Sequence, residues 1–415
     1  MNWLTDDKTE NVDNDPDQRR LEFSFPFLTL RTQLFRGVFN RLGAFRFSRW
    51  LSWIALVIVP VVAGIGLYLL INSLVSLLWN PAAASAAREA GLGSYILLPG
   101  INPYLPILYG WFAIFCAIAI HEGAHGVVAR SLGLKVKSSG LIFFLFIPIG
   151  AFVDVDEEEL KEASGKVSSR VLAGGVGGNI ALAAVCFVVV LLIVGGLAPI
   201  VDGVYVGNVT EGMPAEAAGL LPGDVLVSID GMPINSTDNL RIFLDSKTAG
   251  DLVEVTVARG HMWQNRYTTV VNLTVSDNRT VMGIGVSDLM TEQRLKIYQT
   301  VTPESLVLYL VPPALAQGLV PFSDMLTPFY KSWLGAQWAV YANVFFWIWF
   351  VNVNVAIFNA LPIYPLDGGR MFNITLKSLM KGDEREKLIS RITQAVTAAL
   401  VFVLLSIILL PFITG

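Results

Sequence analysis

Apolar positions along this chain gather into five long runs: Leu51–Trp79, Tyr104–Ala129, Val171–Ile200, Gly335–Leu366 and Ile392–Gly415. Each reaches the roughly 20 residues that a helix needs to cross a hydrocarbon core. A sixth apolar stretch, Ser305–Pro321, is short and broken by Pro312 and Pro313, so it reads as re-entrant or interfacial. Residues 201–290 follow another rhythm. Segments such as "DLVEVTVARG" alternate apolar and polar side chains between Gly-rich turns, the pattern of a small β-rich domain. Residues 1–20 are polar and acidic and are expected to be disordered. Residues 21–50 mix Phe and Leu with Arg31, Arg36, Arg41, Arg46 and Arg49, and read as an interfacial, positively charged stretch. The first apolar core begins some 50 residues in, too late for a cleaved signal peptide. The pattern predicts a polytopic α-helical membrane protein of about five to six spans with a small β-rich insert. The expected regions are 1–50 (polar and basic), 51–200 (first membrane half), 201–290 (insert) and 291–415 (second membrane half).

Composition agrees: of 415 residues, 54% are hydrophobic and 15% charged, against about 25% charged in soluble domains. The net charge of −4 points to no nucleic-acid partner. Cys116 and Cys186 both fall in apolar runs without framework spacing, as small buried residues and not a disulfide. Basic residues orient the chain. Arginines precede the first run. Arg130, Lys135, Lys137, Lys161, Lys166 and Arg170 lie between the second and third, and Arg370, Lys377, Lys381, Arg385, Lys387 and Arg391 between the fourth and fifth. Five crossings place all three groups on the cytoplasmic side, with the N-terminus cytoplasmic and the insert outside, in what is expected to be the plasma membrane. Four Asn-x-Ser/Thr triplets in the insert, at Asn208, Asn235, Asn272 and Asn278, fit that side, although such residues are also common in turns.

From Tyr104 to Ala129 the only Asp, Glu, His, Lys or Arg side chains are His121, Glu122 and His125, in "HEGAH". Intramembrane ionisable groups are functional candidates by default, because a carboxylate near the bilayer centre costs at least about 2.5 kcal/mol. His121 and His125, four apart, share a helical face and can point at one ion. Two imidazoles beside a glutamate are the zinc-protease arrangement, with Glu122 as the proton acceptor. Catalytic zinc takes three protein ligands. His261, the only other histidine, sits in "RGHMWQNR" in the insert and reads as a solvated turn residue. The third ligand is then a carboxylate or carbonyl from another membrane segment. In "NALPIYPLDGGR", at the end of the fourth run, Asp367 is the only acid. Pro362 and Pro365 break the helix there, and Gly368–Gly369 allow a tight turn. His121 and His125 lie about 6–14 Å from the cytoplasmic end of their run at 1.5 Å per residue, a depth that matches Asp367.

These motifs resemble the site-2 protease family of intramembrane metalloproteases, whose pattern is HExxH followed on another span by N-x-x-P-x-x-x-L-D-G. Asn359, Pro362, Leu366, Asp367 and Gly368 fill every fixed position of the second motif. The resemblance implies that His121, His125 and Asp367 hold Zn²⁺, that Glu122 is the general base, and that Asn359 holds the substrate strand or the oxyanion. "AGGVGGN" (173–179) is similar to the family's Gly-Pro-x-x-Asn segment, with Val176 where proline is usual. It implies that Asn179 orients substrate or Asp367; a small-residue helix-packing face is the alternative. "FIPIGAFVDV" (146–155) looks like the family's membrane-associated β-hairpin, which offers an edge strand to an unwound substrate and makes Pro148, Gly150 and Phe152 substrate-positioning candidates. Its plain reading is an amphipathic loop leading into the acidic run Asp156–Glu159. "GMPAEAAGLLPGDVLVSIDG" (212–231) resembles a PDZ domain, which captures an extended peptide or a C-terminus; a structural lid is the alternative. The function implied is regulated intramembrane proteolysis of a transmembrane protein substrate within the lipid bilayer. The rival readings are a catalytically inactive family member and a PDZ-bearing membrane scaffold or metal transporter. Transport would call for further intramembrane ligands, and the first and fifth runs hold no Asp, Glu, His, Lys or Arg.

Overall fold

The computed structural model describes residues 21–33, 35–144, 147–315, 317–380 and 385–413. The expected disorder of residues 1–20 lies outside them. Among the described residues, five helices are long and apolar enough to cross a membrane. Span one is Arg46–Trp79, span two Ile107–Ser131, span three Gly165–Gly195, span four Trp338–Ala360 and span five Glu386–Ile413. The chain is a membrane protein, and the five such helices among its described residues agree with the five to six spans expected. The stretch at 305–321 yields only the short helix Pro303–Tyr309, capped by Thr302 and ended before Pro312.

Run boundaries shift where local chemistry overrides hydropathy. Span three begins at Gly165, before the apolar run, because helix propensity does not stop at charged residues. It ends at Gly195, and Leu197–Pro199, expected inside the run, form strand β5, named here in chain order. Span four stops at Ala360, six residues before the expected end, since Pro362 cannot continue a helix.

The chain divides into two compact units. The first comprises residues 1–84, 114–180 and 354–415. Its membrane core joins Ala55, Val59 and Val62 of span one, Leu172, Ala173 and Val176 of span three, and Ala356 and Ala360 of span four. The helices meet closely through glycine. A Cβ on Gly177 would stand 2.5 Å from the Ala55 Cβ, and one on Gly178 would stand 2.7 Å from the Ala124 Cβ. AGGVGGN thus offers the small-residue packing face named as its alternative reading. Arg170 ties spans one and three together: its Nη2 donates to the Arg49 carbonyl (2.8 Å) and the Ser52 hydroxyl (2.6 Å), and its guanidinium lies 4.4 Å over Trp53.

The same unit holds a four-stranded antiparallel sheet in the order β1-β2-β3-β4. β3 is Val136–Phe144 and β4 is Ile147–Val155, so the plain amphipathic-loop reading of 146–155 is corrected: the described part is a strand. Phe146 lies outside the described residues. The segment 21–50, expected only as an interfacial stretch, contributes β1 (Leu21–Ser24), β2 (Phe27–Thr32) and the helix Arg36–Ala44. β2 pairs with β3 from Phe27↔Phe144 to Thr32↔Ser139. Among the described residues, β4 pairs with β3 alone and forms an edge of the sheet. Asp156 caps the helix Glu157–Glu162 by accepting from the N–H groups of Glu158 and Glu159.

The second unit comprises residues 85–113 and 181–353. Its sheet runs β10-β9-β7-β6-β13, with β8 (Met232–Pro233) on β7. Here β6 is Val204–Val209, β7 Val225–Ile229, β9 Leu252–Arg259, β10 Asn265–Asn272 and β13 Ile284–Ser287. β11 (Thr274–Ser276) pairs with β12 (Arg279–Val281), and β14 (Tyr330–Ser332) with β5. Alternate residues Val253, Val255 and Val257 face a core with Leu226, Ile229, Leu240 and Phe243, so the insert is a β-rich fold with its own interior. Buried Asp224 accepts from Arg259 at 2.7 Å through both carboxylate oxygens and from the Leu221 N–H at 2.9 Å. Asp224→Ala leaves those donors unpaired and is expected to destabilise the insert by about 2–3 kcal/mol. Faster hydrogen exchange at β7 and β9 amides of the full chain is the readout.

Candidate metal centre

Span two carries HEGAH as a continuous helix, so His121 and His125 fall on one face, with their rings 4.8 Å apart between centroids. Asp367 arrives from the turn after span four. There the chain folds back so tightly that a Cβ on Gly368 would strike the Ala360 and Leu361 carbonyl oxygens, and one on Gly369 the backbone of Ile363 and Tyr364. Asp367 opens the helix Asp367–Leu379 and is 8% exposed.

Three ligand atoms converge. His121 Nε2 lies 3.1 Å from Asp367 Oδ2, His125 Nε2 lies 3.2 Å from it, and the two Nε2 atoms are 3.3 Å apart. His125 Nδ1 lies 2.7 Å from the Val171 carbonyl of span three. A carbonyl only accepts, so Nδ1 carries the ring proton and Nε2 presents a lone pair. That lone pair faces a carboxylate oxygen and a second imidazole nitrogen. Buried Asp367 Oδ2 has no hydrogen-bond partner. Electron-rich atoms packed this closely need a positive centre between them. Tetrahedral zinc, at about 2.0–2.2 Å from N and O ligands, sets its ligand atoms about 3.3 Å apart. The three residues fit a zinc ion.

The remaining candidates are placed as follows. The Glu122 carboxylate, next to His121 in sequence, accepts from the Val153 N–H of β4 at 3.3 Å. Val153 packs where Gly126 leaves room on span two: a Cβ there would stand 2.9 Å from its side chain. Phe152 lies across Gly140 of β3, and Gly150 opposite Ile142. Pro148 belongs to β4 by its backbone. Asn359 sits in the last turn of span four, and its amide donates to the Val355 carbonyl at 3.0 Å. Asn179, fully buried, lies beside His121, with Nδ2 3.4 Å from Nδ1. His261 is exposed in the β9–β10 connection. Sequence reasoning passed over Val171, whose contribution is a backbone carbonyl and leaves no side-chain signal.

A helical membrane chain with an HExxH span, a facing Asp and a β-rich insert defines a membrane metalloprotease class. The chain belongs to peptidase family M50, whose sequence profile matches residues 109–405. It is 25% identical over 368 residues to an uncharacterized protein of Methanocaldococcus jannaschii, covering 89% of this chain and 82% of that one. A Clostridium perfringens protein that carries the provisional name of zinc metalloprotease is 25% identical over 321 residues, 69% of this chain and 92% of the relative. Among solved structures, the PDZ domain of an SdrC-like protein from Listeria monocytogenes matches at 30% identity and a TM-score of 0.19, covering 21% of this chain and 90% of the domain.

Proposed function

We propose that this protein is a zinc endopeptidase that cuts transmembrane helices of substrate proteins, with His121, His125 and Asp367 as metal ligands. The observation that carries the reading is the triangle of two Nε2 atoms and one Oδ2 atom within 3.1–3.3 Å of one another. Zinc supplies Lewis acidity towards the scissile carbonyl and lowers the pKa of water. Glu122 takes the proton of the attacking water and passes it to the departing amide nitrogen. On this reading Asn359, one turn before the bend that delivers Asp367, holds the substrate strand or the developing oxyanion.

A substrate helix hides its carbonyls in its own hydrogen bonds and must unwind before it is cut. The edge of β4 offers replacement partners. The Val153 N–H points out of the sheet to Glu122. Ala151, two residues away in an unbroken register, points its own N–H the same way. An unwound segment added to β4 therefore lies alongside the proposed base. Ala151→Pro removes one outward N–H and spares the β3–β4 ladder. It is expected to keep zinc and to lower kcat/KM for a transmembrane reporter by up to about tenfold, the worth of roughly one hydrogen bond in the transition state.

On this reading the N-terminus is cytoplasmic, and the PDZ-like insert lies outside the cytoplasm of a plasma-membrane protein. There the insert takes a peptide or C-terminus and limits access to trimmed substrates. The regions 1–50, 51–200, 201–290 and 291–415 are then the polar and basic cytoplasmic N-terminal region, first membrane half, filter and second membrane half. Purified full-length protein is expected to carry one zinc per chain and to lose it on His125→Ala. A folded sample with no stoichiometric metal removes the proposal.

A further inference from the structure

Val171, Gly175 and Asn179 fall at i, i+4 and i+8 of span three, one stripe along that helix. Every member of the stripe meets the histidine pair. The Val171 carbonyl accepts from His125 Nδ1 at 2.7 Å. At Gly175 a Cβ would stand 2.5 Å from His125 Nε2 and 2.6 Å from His121 Cε1, so only glycine leaves the two rings their positions. Asn179 Nδ2 lies 3.4 Å from His121 Nδ1, and Asn179 Oδ1 is a buried acceptor with no partner.

The two ends of a carboxamide exchange places by a half-turn about the Cβ–Cγ bond. With the oxygen turned to His121, Nδ1–H donates to it, the orphaned acceptor gains its partner, and Nε2 keeps its lone pair. With the nitrogen there, the ring proton is driven to Nε2, the atom that faces Asp367 and His125. Only the first arrangement lets His121 act as a ligand. His125 already has this tautomer, fixed by the Val171 carbonyl two turns earlier on the same stripe.

We propose that Asn179 is a positioning residue for the metal centre. It holds His121 as the Nδ1–H tautomer, as the Val171 carbonyl holds His125, so one stripe of span three presets both ligands. This rests on the zinc reading of the same site, and it is offered in place of the role in orienting substrate or Asp367 that the resemblance implied for Asn179.

The test uses full-length protein in detergent and measures zinc affinity by chelator competition, with the visible spectrum of the Co²⁺-loaded form as a second readout. Asn179→Leu keeps the approximate volume and removes the acceptor. It is expected to weaken zinc binding about 10–100-fold and to alter the Co²⁺ spectrum. Asn179→Asp restores an acceptor oxygen and is expected to bind within a few fold of wild type. Melting in chelator checks that the variants fold; Asn179→Ala, smaller than Leu, carries the same expectation if the Leu variant does not. Wild-type zinc affinity in a folded Leu or Ala variant overturns the inference alone. Equal weakening in Asn179→Asp and Asn179→Leu overturns it too. A wild type that takes up no metal overturns the peptidase proposal, and this inference with it.

Discussion

Glu122→Gln is expected to keep its zinc and to lose cleavage of a transmembrane-helix reporter by about 10²–10⁴-fold, the range that general acid–base catalysis contributes. The glutamine is isosteric and leaves the ligand atoms untouched: His121 Nε2, His125 Nε2 and Asp367 Oδ2 form the triangle without Glu122. Its amide still offers an oxygen to the Val153 N–H, so the contact between span two and β4 survives. What it lacks is a site for the proton. The loss is therefore expected in kcat, with KM and metal content near wild type. Zinc analysis and single-turnover kinetics on the same preparation separate these quantities. Equal cleavage by both proteins would strip Glu122 of its role.

The second large effect is structural. Gly369→Ala is expected to empty the metal centre. The added Cβ would overlap the carbonyl of Ile363 and the nitrogen of Tyr364, both backbone atoms of the turn that delivers Asp367. A side chain in that place could swing aside; a backbone cannot without moving the turn. Overpacking of this kind costs about 1–3 kcal/mol. The cost falls on the segment that carries the third ligand, so zinc is lost well before the spans unfold. The expected outcome is less than a tenth of wild-type zinc, with the helical circular dichroism signal of the spans retained. Full zinc occupancy in Gly369→Ala would show that the turn relaxes without displacing Asp367.

The N-terminal segment illustrates where pattern reading stops. Residues 21–50 hold exposed phenylalanines and five arginines, and their local pattern is that of a membrane-surface stretch. Yet Phe27–Thr32 pair with β3, more than a hundred residues later in the chain. Nothing local to Phe27 encodes its partner, because strand pairing depends on which distant edge is left open. Asn179 teaches the same lesson at the site. The resemblance of AGGVGGN to a family segment marked it as a candidate, but whether it faces substrate, Asp367 or His121 depends on the rotation of span three against span two, which small residues at Gly174 and Gly178 set by close packing.

Hydropathy alone determined the five membrane helices, since a run of twenty apolar residues has few other places to go, and local spacing alone put His121 and His125 on one helical face. The composition of the LDGG stretch marked Asp367 as the matching acid. Tertiary structure decided the rest: that the Asp367 carboxylate meets both imidazoles, that the Val171 carbonyl selects the tautomer of His125, and that β4 turns its edge to Glu122. These are contacts between separate segments. Their energy depends on distances of a few tenths of an ångström, which packing sets and residue order does not express.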